Sequence, residues 1–144
     1  MDYEEFVEKF INALPHGRAL KFGLVSASRG QATLSMPYDE NLVGDPDTGV
    51  VHGGAVFTLI DTAGGAAVLC RDEGLKGTAT LDLRIDYMRS ATPGQRIIAQ
   101  ADCFHATRTV AFIRAVAYDD AGTEDPIATA SGAYTVAGAT EFVK

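Results

Sequence analysis

The apolar run from Gly53 to Cys70, GGAVFTLIDTAGGAAVLC, constrains this chain more than any other feature. It is about 18 residues long and carries one charged side chain, Asp61, at its centre. That length is close to what a bilayer crossing needs, but a carboxylate at mid-membrane is costly, and Gly53, Gly54, Gly64 and Gly65 weaken the helix further. A helix that is apolar nearly all round is normally enclosed by its own domain. The run therefore predicts a buried central helix in a soluble protein, with no membrane contact.

The flanking patterns say what encloses it. Residues 2–14 place Tyr3, Phe6, Phe10, Ile11 and Leu14 at helical spacing, with acidic residues in the first turn. They predict an amphipathic flanking helix over 1–16, closed by Pro15-His16-Gly17. Residues 20–37 read as two strands joined at Ser28-Arg29-Gly30, followed by a loop from Tyr38 to Val50 rich in Asn, Asp, Gly and Pro. After the central helix, 78–89 alternate: Leu81, Leu83, Ile85 and Tyr87 face one way, and Thr80, Asp82, Arg84 and Asp86 the other. Further strands are expected at about 95–106, 108–119 and 126–136. Strands and helices do not alternate as βαβ units, so a doubly wound parallel sheet is disfavoured. The pattern predicts an α+β fold, with an antiparallel sheet of about six strands around one long helix. A chain of 144 residues suits one domain, 1–144.

Composition excludes several function classes. The formal net charge is −7 and no Lys/Arg-rich run offsets it, which argues against nucleic-acid partners. Cys70 and Cys103 lack CxxC spacing, and the acidic start lacks a signal-peptide pattern, so reduced thiols and a cytoplasmic location are expected. His16, His52 and His105 have no ligand spacing, so no metal and no cofactor are expected. GxSxG, P-loop and dinucleotide fingerprints are also missing.

Two features carry chemistry. His52-Gly53-Gly54 stands where the loop becomes a helix, and paired glycines there cost roughly 1 kcal/mol each relative to Ala. The first amides of a helix have no intrahelical partners and bear partial positive charge. Glycine leaves them open to a ligand, so a thioester carbonyl docked there would be polarised. A tight packing turn is the alternative reading. Asp61 is the second feature, since a buried carboxylate needs hydrogen bonds or a function. His52 and Asp61 are nine residues apart, about 13.5 Å along the axis and about 900° of rotation, which puts them on opposite sides. If both serve one reaction, the carboxylate comes from a second copy. The spacing thus predicts a homodimer with antiparallel helices, brought close by Ala55, Ala63, Gly64, Gly65, Ala66 and Ala67. His52 is expected to order the turn more than to act as a base.

The stretch HGGAVFTLIDTAGGAAV and the following TLDLRIDYMRSATPG resemble the hotdog-fold acyl-CoA thioesterases of the PaaI-like (phenylacetyl-CoA thioesterase-related) family, over about residues 20–136. The resemblance implies a hotdog fold whose sheets join in a homodimer, often paired again as a dimer of dimers. It implies that the Gly53 amide polarises the thioester carbonyl, that the other subunit's Asp61 is nucleophile or general base, and that Thr80 helps place the attacking water. The family's Asn, about six residues before the histidine, falls here on Pro46. Either GDPDTG is an insertion that keeps Asn41 in that role, or the role is lost or passes to Asp47. Gly54, Leu42, Val43, Phe57 and Ile60 are candidate substrate contacts along a subunit interface, and Arg89 and Arg108 candidate cations for the CoA phosphates. Two alternatives to hydrolysis stay open: a non-catalytic acyl-CoA binding protein, and a hotdog acyl-CoA hydratase or dehydratase relying on His52.

Overall fold

Helix α1 (Tyr3–Ala13) begins where Asp2 accepts a hydrogen bond from the Glu5 amide at 3.0 Å, with Glu4 and Glu5 in its first turn. The structure, a computed structural model, describes residues 1–138; residues 139–144 of the expected domain lie outside the described residues. The buried stripe of α1 centres on Val7 and Ile11, with Tyr3, Phe6 and Phe10 packed at its margins. Helix α1 ends at Ala13, with extended Leu14 just ahead of Pro15 as expected, but Pro15 does not end helical structure altogether. It occupies the first turn of a short second helix, α2 (Pro15–Ala19), where its missing N–H has no partner to lose.

Strands β1 (Gly23–Ser28) and β2 (Gln31–Met36) form the expected hairpin, turned at Gly30 with φ 71°. The segment read as a loop holds a single 3-10 turn, Glu40–Leu42, and a small hairpin, β3 (Val43–Asp45) with β4 (Val50–Val51). Asp45 ties its turn by accepting from the Asp47 amide at 3.0 Å and the Thr48 hydroxyl at 2.9 Å. The central helix α3 (Gly53–Leu69) follows, then β5 (Leu75–Gly77), β6 (Thr80–Tyr87), β7 (Ile97–Ala106), β8 (Val110–Tyr118), β9 (Ala128–Thr135) and β10 (Ala137–Gly138). The last of these pairs with β5.

Six strands form one antiparallel sheet in the order β1-β2-β7-β8-β9-β6, leaving β1 and β6 as edges. Helix α3 lies mainly against β2, β7 and β8. Leu59, Ile60 and Ala63 of the helix and Leu34, Met36 and Ile113 of the sheet are at most 1% exposed. Each large side chain among them contributes roughly 1.5–3 kcal/mol by leaving water. Ala63, Ala66 and Ala67 are 0% exposed, and Ala55, Gly64 and Gly65 are also buried. The small residues therefore let the helix settle onto its own sheet, and do not form the helix–helix face that the sequence suggested.

The helix is not enclosed all round either. Gly54, Phe57, Thr58, Asp61 and Thr62 fall at i, i+3, i+4, i+7 and i+8 and are at least partly exposed, with Phe57 at 39%. They make one open stripe. On β6, Leu83 and Ile85 pack on the core, but Leu81 sits at a register shift and is 59% exposed, and Tyr87 is 50% exposed. Alternation read the strand correctly in its middle. It could not show that both ends belong to a free edge.

Candidate active site

Asp61 projects from the middle of α3 toward the ends of β6 and β9. Its Oδ1 accepts the Thr80 hydroxyl at 2.6 Å and the Tyr134 hydroxyl at 3.1 Å. The Tyr134 hydroxyl is also 3.1 Å from the Asp61 carbonyl oxygen. Both side-chain donors meet one oxygen, and Asp61 itself lines a hollow of about 150 Å³ together with Phe10, Leu14 and Thr78. Tyr134 is 1% exposed; burial and the neighbouring Asp61 charge hold its phenol far above its ordinary value, so it stays protonated and donates. Room for the ring comes from Gly64. A Cβ there would overlap the Tyr134 hydroxyl and lie 2.9 Å from Cζ.

At the helix start, His52 is the N-cap: its Nδ1 accepts from the Gly54 amide at 2.8 Å. With that lone pair engaged, a neutral ring carries its proton on Nε2. The His52 amide donates to the Leu42 carbonyl at 2.8 Å, which draws the 3-10 turn onto the helix entry. Gly44 is needed here, because a Cβ would lie 2.9 Å from His52 Cα. Asn41, Leu42 and Val43 accordingly share a hollow of about 310 Å³ with His52 and Gly54. GDPDTG is thus a closed hairpin that returns Asn41 beside His52, while Asp47 lies exposed in its turn.

The Tyr87 hydroxyl donates to the Gly53 carbonyl at 2.8 Å, pinning the first peptide of the helix to the sheet edge. No group among the described residues accepts from the Gly53 amide. Gly53 opens into a separate hollow of about 350 Å³ with Tyr87, Met88 and Arg89. Counted from His52, Asp61 falls on the opposite side, but His52 precedes the helix. Counted from Gly54, seven residues on, Asp61 shares the open stripe, displaced about 10.5 Å along the axis. The separation stands and the opposition does not.

Other expected contacts fare differently. Arg89 uses all five N–H donors: Nη1 and Nη2 grip Asp119 at 3.0 and 2.7 Å, and the rest reach the Ser90 and Asp125 carbonyls. It fastens two loops and leaves no donor for a phosphate. Ile60 is 0% exposed, a core residue and no pocket wall, and Phe57 stands on the open stripe outside the described hollows. Arg108 is exposed in the β7–β8 turn, at the same end of the sheet as Thr80, with no ion pair among the described residues.

Sequence reasoning missed Tyr134 and Tyr87. A signal for Tyr134 exists: ATASGAYT has one large side chain in a strand of small ones, and it needs a gap such as the glycines of α3. Nothing in the sequence joins Tyr87 to Gly53, because their contact depends on how the edge strand passes the helix entry.

A six-stranded antiparallel sheet wrapped on one helix, with a clamped carboxylate on the helix and an open amide at its start, defines a hotdog-fold protein. Residues 48–125 match the thioesterase superfamily. Human acyl-coenzyme A thioesterase 13 is 34% identical over 92 residues, a span of 64% of each chain and so just under two thirds of that relative. The Escherichia coli medium/long-chain acyl-CoA thioesterase YigI is 28% identical over 142 residues, 90% of each chain. The E. coli PaaI protein of the phenylacetic acid degradation operon superposes with a TM-score of 0.83 at 20% identity, covering 95% of this chain and 94% of PaaI, a likeness of fold alone. The chain belongs to the thioesterase superfamily, and by that membership it is a thioester hydrolase. No helix among the described residues is long and apolar enough to cross a membrane.

Proposed function

We propose that this chain hydrolyses an acyl-CoA thioester to a free acid and CoA at a site shared by two copies. The carrying observation is the Asp61 carboxylate, oriented by two hydroxyls on one oxygen and set on the open stripe of a helix whose start bears the unpartnered Gly53 amide. From Gly53 to Asp61 is about 12 Å of helix, too far for one carbonyl to meet both. A second copy resolves this. The exposed apolar residues Phe57, Leu81, Tyr87 and Met88 line the helix stripe and the free β6 edge, a surface that pairing would cover. Both named relatives are acyl-CoA thioesterases, which favours CoA esters as the substrate class.

In this reading the thioester oxygen accepts from the Gly53 N–H of one copy, and Asp61 Oδ2 of the other faces the carbonyl carbon. As a general base, Asp61 takes a proton from a water whose oxygen bonds to that carbon. The oxyanion rests on the Gly53 amide, the C–S bond breaks, and the CoA thiolate recovers the proton. As a nucleophile, Oδ2 bonds to the carbon, CoA leaves, and water cleaves the acyl anhydride. If water attacks the Asp61 carbonyl carbon of that anhydride, single turnover in heavy-oxygen water leaves the label on Asp61, which the general-base route never does. A hydratase relying on His52 as base is disfavoured, since its Nδ1 lone pair is spent on the helix cap.

Gly53→Pro and Asp61→Asn test the shared site. Proline at the first helical position deletes the amide donor with little helix disruption, and His52 already has the extended ψ of 135° that a following proline requires. Each variant alone should lose about 100- to 1,000-fold in kcat. Unfolding both chains together and refolding them should recover about a quarter of wild-type activity, since half the dimers hold one intact site. No recovery in proven heterodimers would sink the shared site.

A further inference from the structure

Four hydrogen bonds frame the start of α3. The His52 amide donates to the Leu42 carbonyl at 2.8 Å, and the His52 carbonyl accepts from the Ala55 amide at 3.0 Å. The Gly54 amide donates to His52 Nδ1 at 2.8 Å, and the Gly53 carbonyl accepts the Tyr87 hydroxyl at 2.8 Å. The peptide groups on both sides of Gly53 are thereby held, and the Gly53 N–H is the corner of this frame with no acceptor among the described residues. The two glycines differ in what demands them. At Gly54 a Cβ would lie 2.9 Å from His52 Nδ1, so the cap itself requires glycine. At Gly53 the nearest atoms a Cβ would meet are those of the Tyr87 ring, at an ordinary 3.5 Å. Packing gives no reason for glycine at 53, whereas close approach to its amide does.

Only the Tyr87 bond reaches from this frame to the six-stranded sheet. Strand β6 therefore serves both halves of the chemistry: Thr80 at its start donates to Asp61, and Tyr87 at its end donates to Gly53. The fold itself has little use for the Tyr87 hydroxyl. The residue is 50% exposed, and a helix carbonyl already has the amide four residues on as its partner. Partial burial raises its phenol above the ordinary value, so it stays a neutral donor. We propose that Tyr87 is a positioning residue for the hydrolysis: its hydroxyl fixes the peptide after Gly53, so that the Gly53 N–H is aimed at the ester oxygen before substrate arrives. The proposal rests on the reading of the Gly53 amide as the donor to the oxyanion. Because Tyr87 stands on the free β6 edge, a second copy covering that edge also shields this bond from water. One pairing event then delivers the partner's carboxylate and firms the amide that works with it.

Tyr87→Phe keeps the ring over Gly53 and deletes only the hydroxyl. Thiol release from acyl-CoA should show kcat lower by about three- to tenfold, the weight of one neutral hydrogen bond, with KM within about twofold. Loss of packing would also lower kcat, so the deciding readout is the binding of two CoA thioethers. S-trifluoroacetonyl-CoA carries an electrophilic ketone that water or a carboxylate converts to a tetrahedral oxyanion, and S-propyl-CoA lacks that oxygen. The wild type should bind the ketone more tightly, and Gly53→Pro should lose that preference. Tyr87→Phe should reduce it by about three- to tenfold, with its affinity for S-propyl-CoA within about twofold of wild type. A Tyr87→Phe protein that keeps the full ketone preference overturns the proposal. One that binds both thioethers more weakly by the same factor also overturns it, since Tyr87 is then a packing residue. If Gly53→Pro itself keeps the preference, the Gly53 reading fails and the positioning role falls with it; if only Tyr87→Phe keeps it, the Gly53 reading stands alone.

Discussion

Replacing Tyr134 by Phe removes one oxygen and keeps the ring that fills the space above Gly64. What disappears is a donor 3.1 Å from Asp61 Oδ1, at a position only 1% exposed, where water cannot take its place. A hydrogen bond to a charged group contributes about 1.5–3 kcal/mol, so if it serves to aim the carboxylate, kcat should fall about 10- to 100-fold. KM should stay within about twofold, because the hydroxyl touches Asp61 and not the docked ester. Thr80→Val removes the shorter bond, 2.6 Å, but Thr80 is exposed and water can replace its hydroxyl, so the expected loss is only about fivefold. Since the two donors share one oxygen, the double variant should lose more than the product of the single losses: either donor still restrains the carboxylate alone, and neither remains in the double. Thiol release under saturating acyl-CoA reads kcat, and a melting curve should show a fall of only about 2–4 °C for Tyr134→Phe. If Tyr134→Phe keeps kcat within twofold of wild type while Asp61→Asn is inactive, the clamp is packing and the reasoning is wrong.

Three further outcomes follow from other contacts. Gly64→Ala should destabilise by about 1–3 kcal/mol and reduce kcat together, because its Cβ meets the buried Tyr134 hydroxyl; Gly65→Ala, whose Cβ has 3.6 Å to Thr78, should melt up to about 1 kcal/mol higher, and denaturant titration compares the pair. Asp119 is held well below the ordinary carboxylate value of 3.8, chiefly by its bond to Arg89, so its contribution is complete above about pH 4 and is lost as acid protonates it; Asp119→Asn should cost about 2–3 kcal/mol at neutral pH and flatten the loss of stability between about pH 4 and 2 in urea titrations. Arg108→Ala should raise KM for acyl-CoA about threefold with kcat unchanged, the effect fading at high salt; an unaltered KM would leave Arg108 as ordinary surface charge.

The scaffold was legible because two periods dominate it. The apolar run around Asp61 declared a core helix, and residues 20–37 and 78–136 alternated closely enough to give the six principal strands. Errors arose wherever a residue's role depended on what lay across from it. Pro15 reads as the stop that α1 does have, but its sequence alone does not show that it also opens a second helix. Ala63, Ala66 and Ala67 read as a surface for another helix, but periodicity cannot tell a close approach to one's own sheet from an approach to a second copy. Arg89 looks like a free cation because its partner, Asp119, lies 30 positions along the chain. The two chemical groups themselves, Asp61 and the Gly53 entry, stood out because each breaks a local rule. Of the donors that orient them, Thr80 is among the expected site residues, Tyr134 is signalled only by its size among small strand residues, and Tyr87 by nothing in the sequence.

Those broken rules form a chain of dependence. A glycine inside a helix costs roughly 1 kcal/mol relative to alanine, and α3 carries a pair at its middle as well as at its start. Of the middle pair, only Gly64 is forced, since a methyl group there would occupy the place of the Tyr134 hydroxyl, whereas Gly65 has ordinary contact distances on every side. Tyr134 in turn gains little from its hydroxyl as a core residue, because phenylalanine would fill the same space with no polar atom to satisfy. The hydroxyl makes sense only through Asp61, and the partly buried Asp61 is itself a liability to stability unless its oxygens are wanted. Each step costs the fold something that an all-apolar alternative would avoid, and all of them end at the same carboxylate oxygens. Local sacrifice that converges on one atom pair is what selection for chemistry leaves in a core, and it is a stronger sign of function than any one of these residues alone.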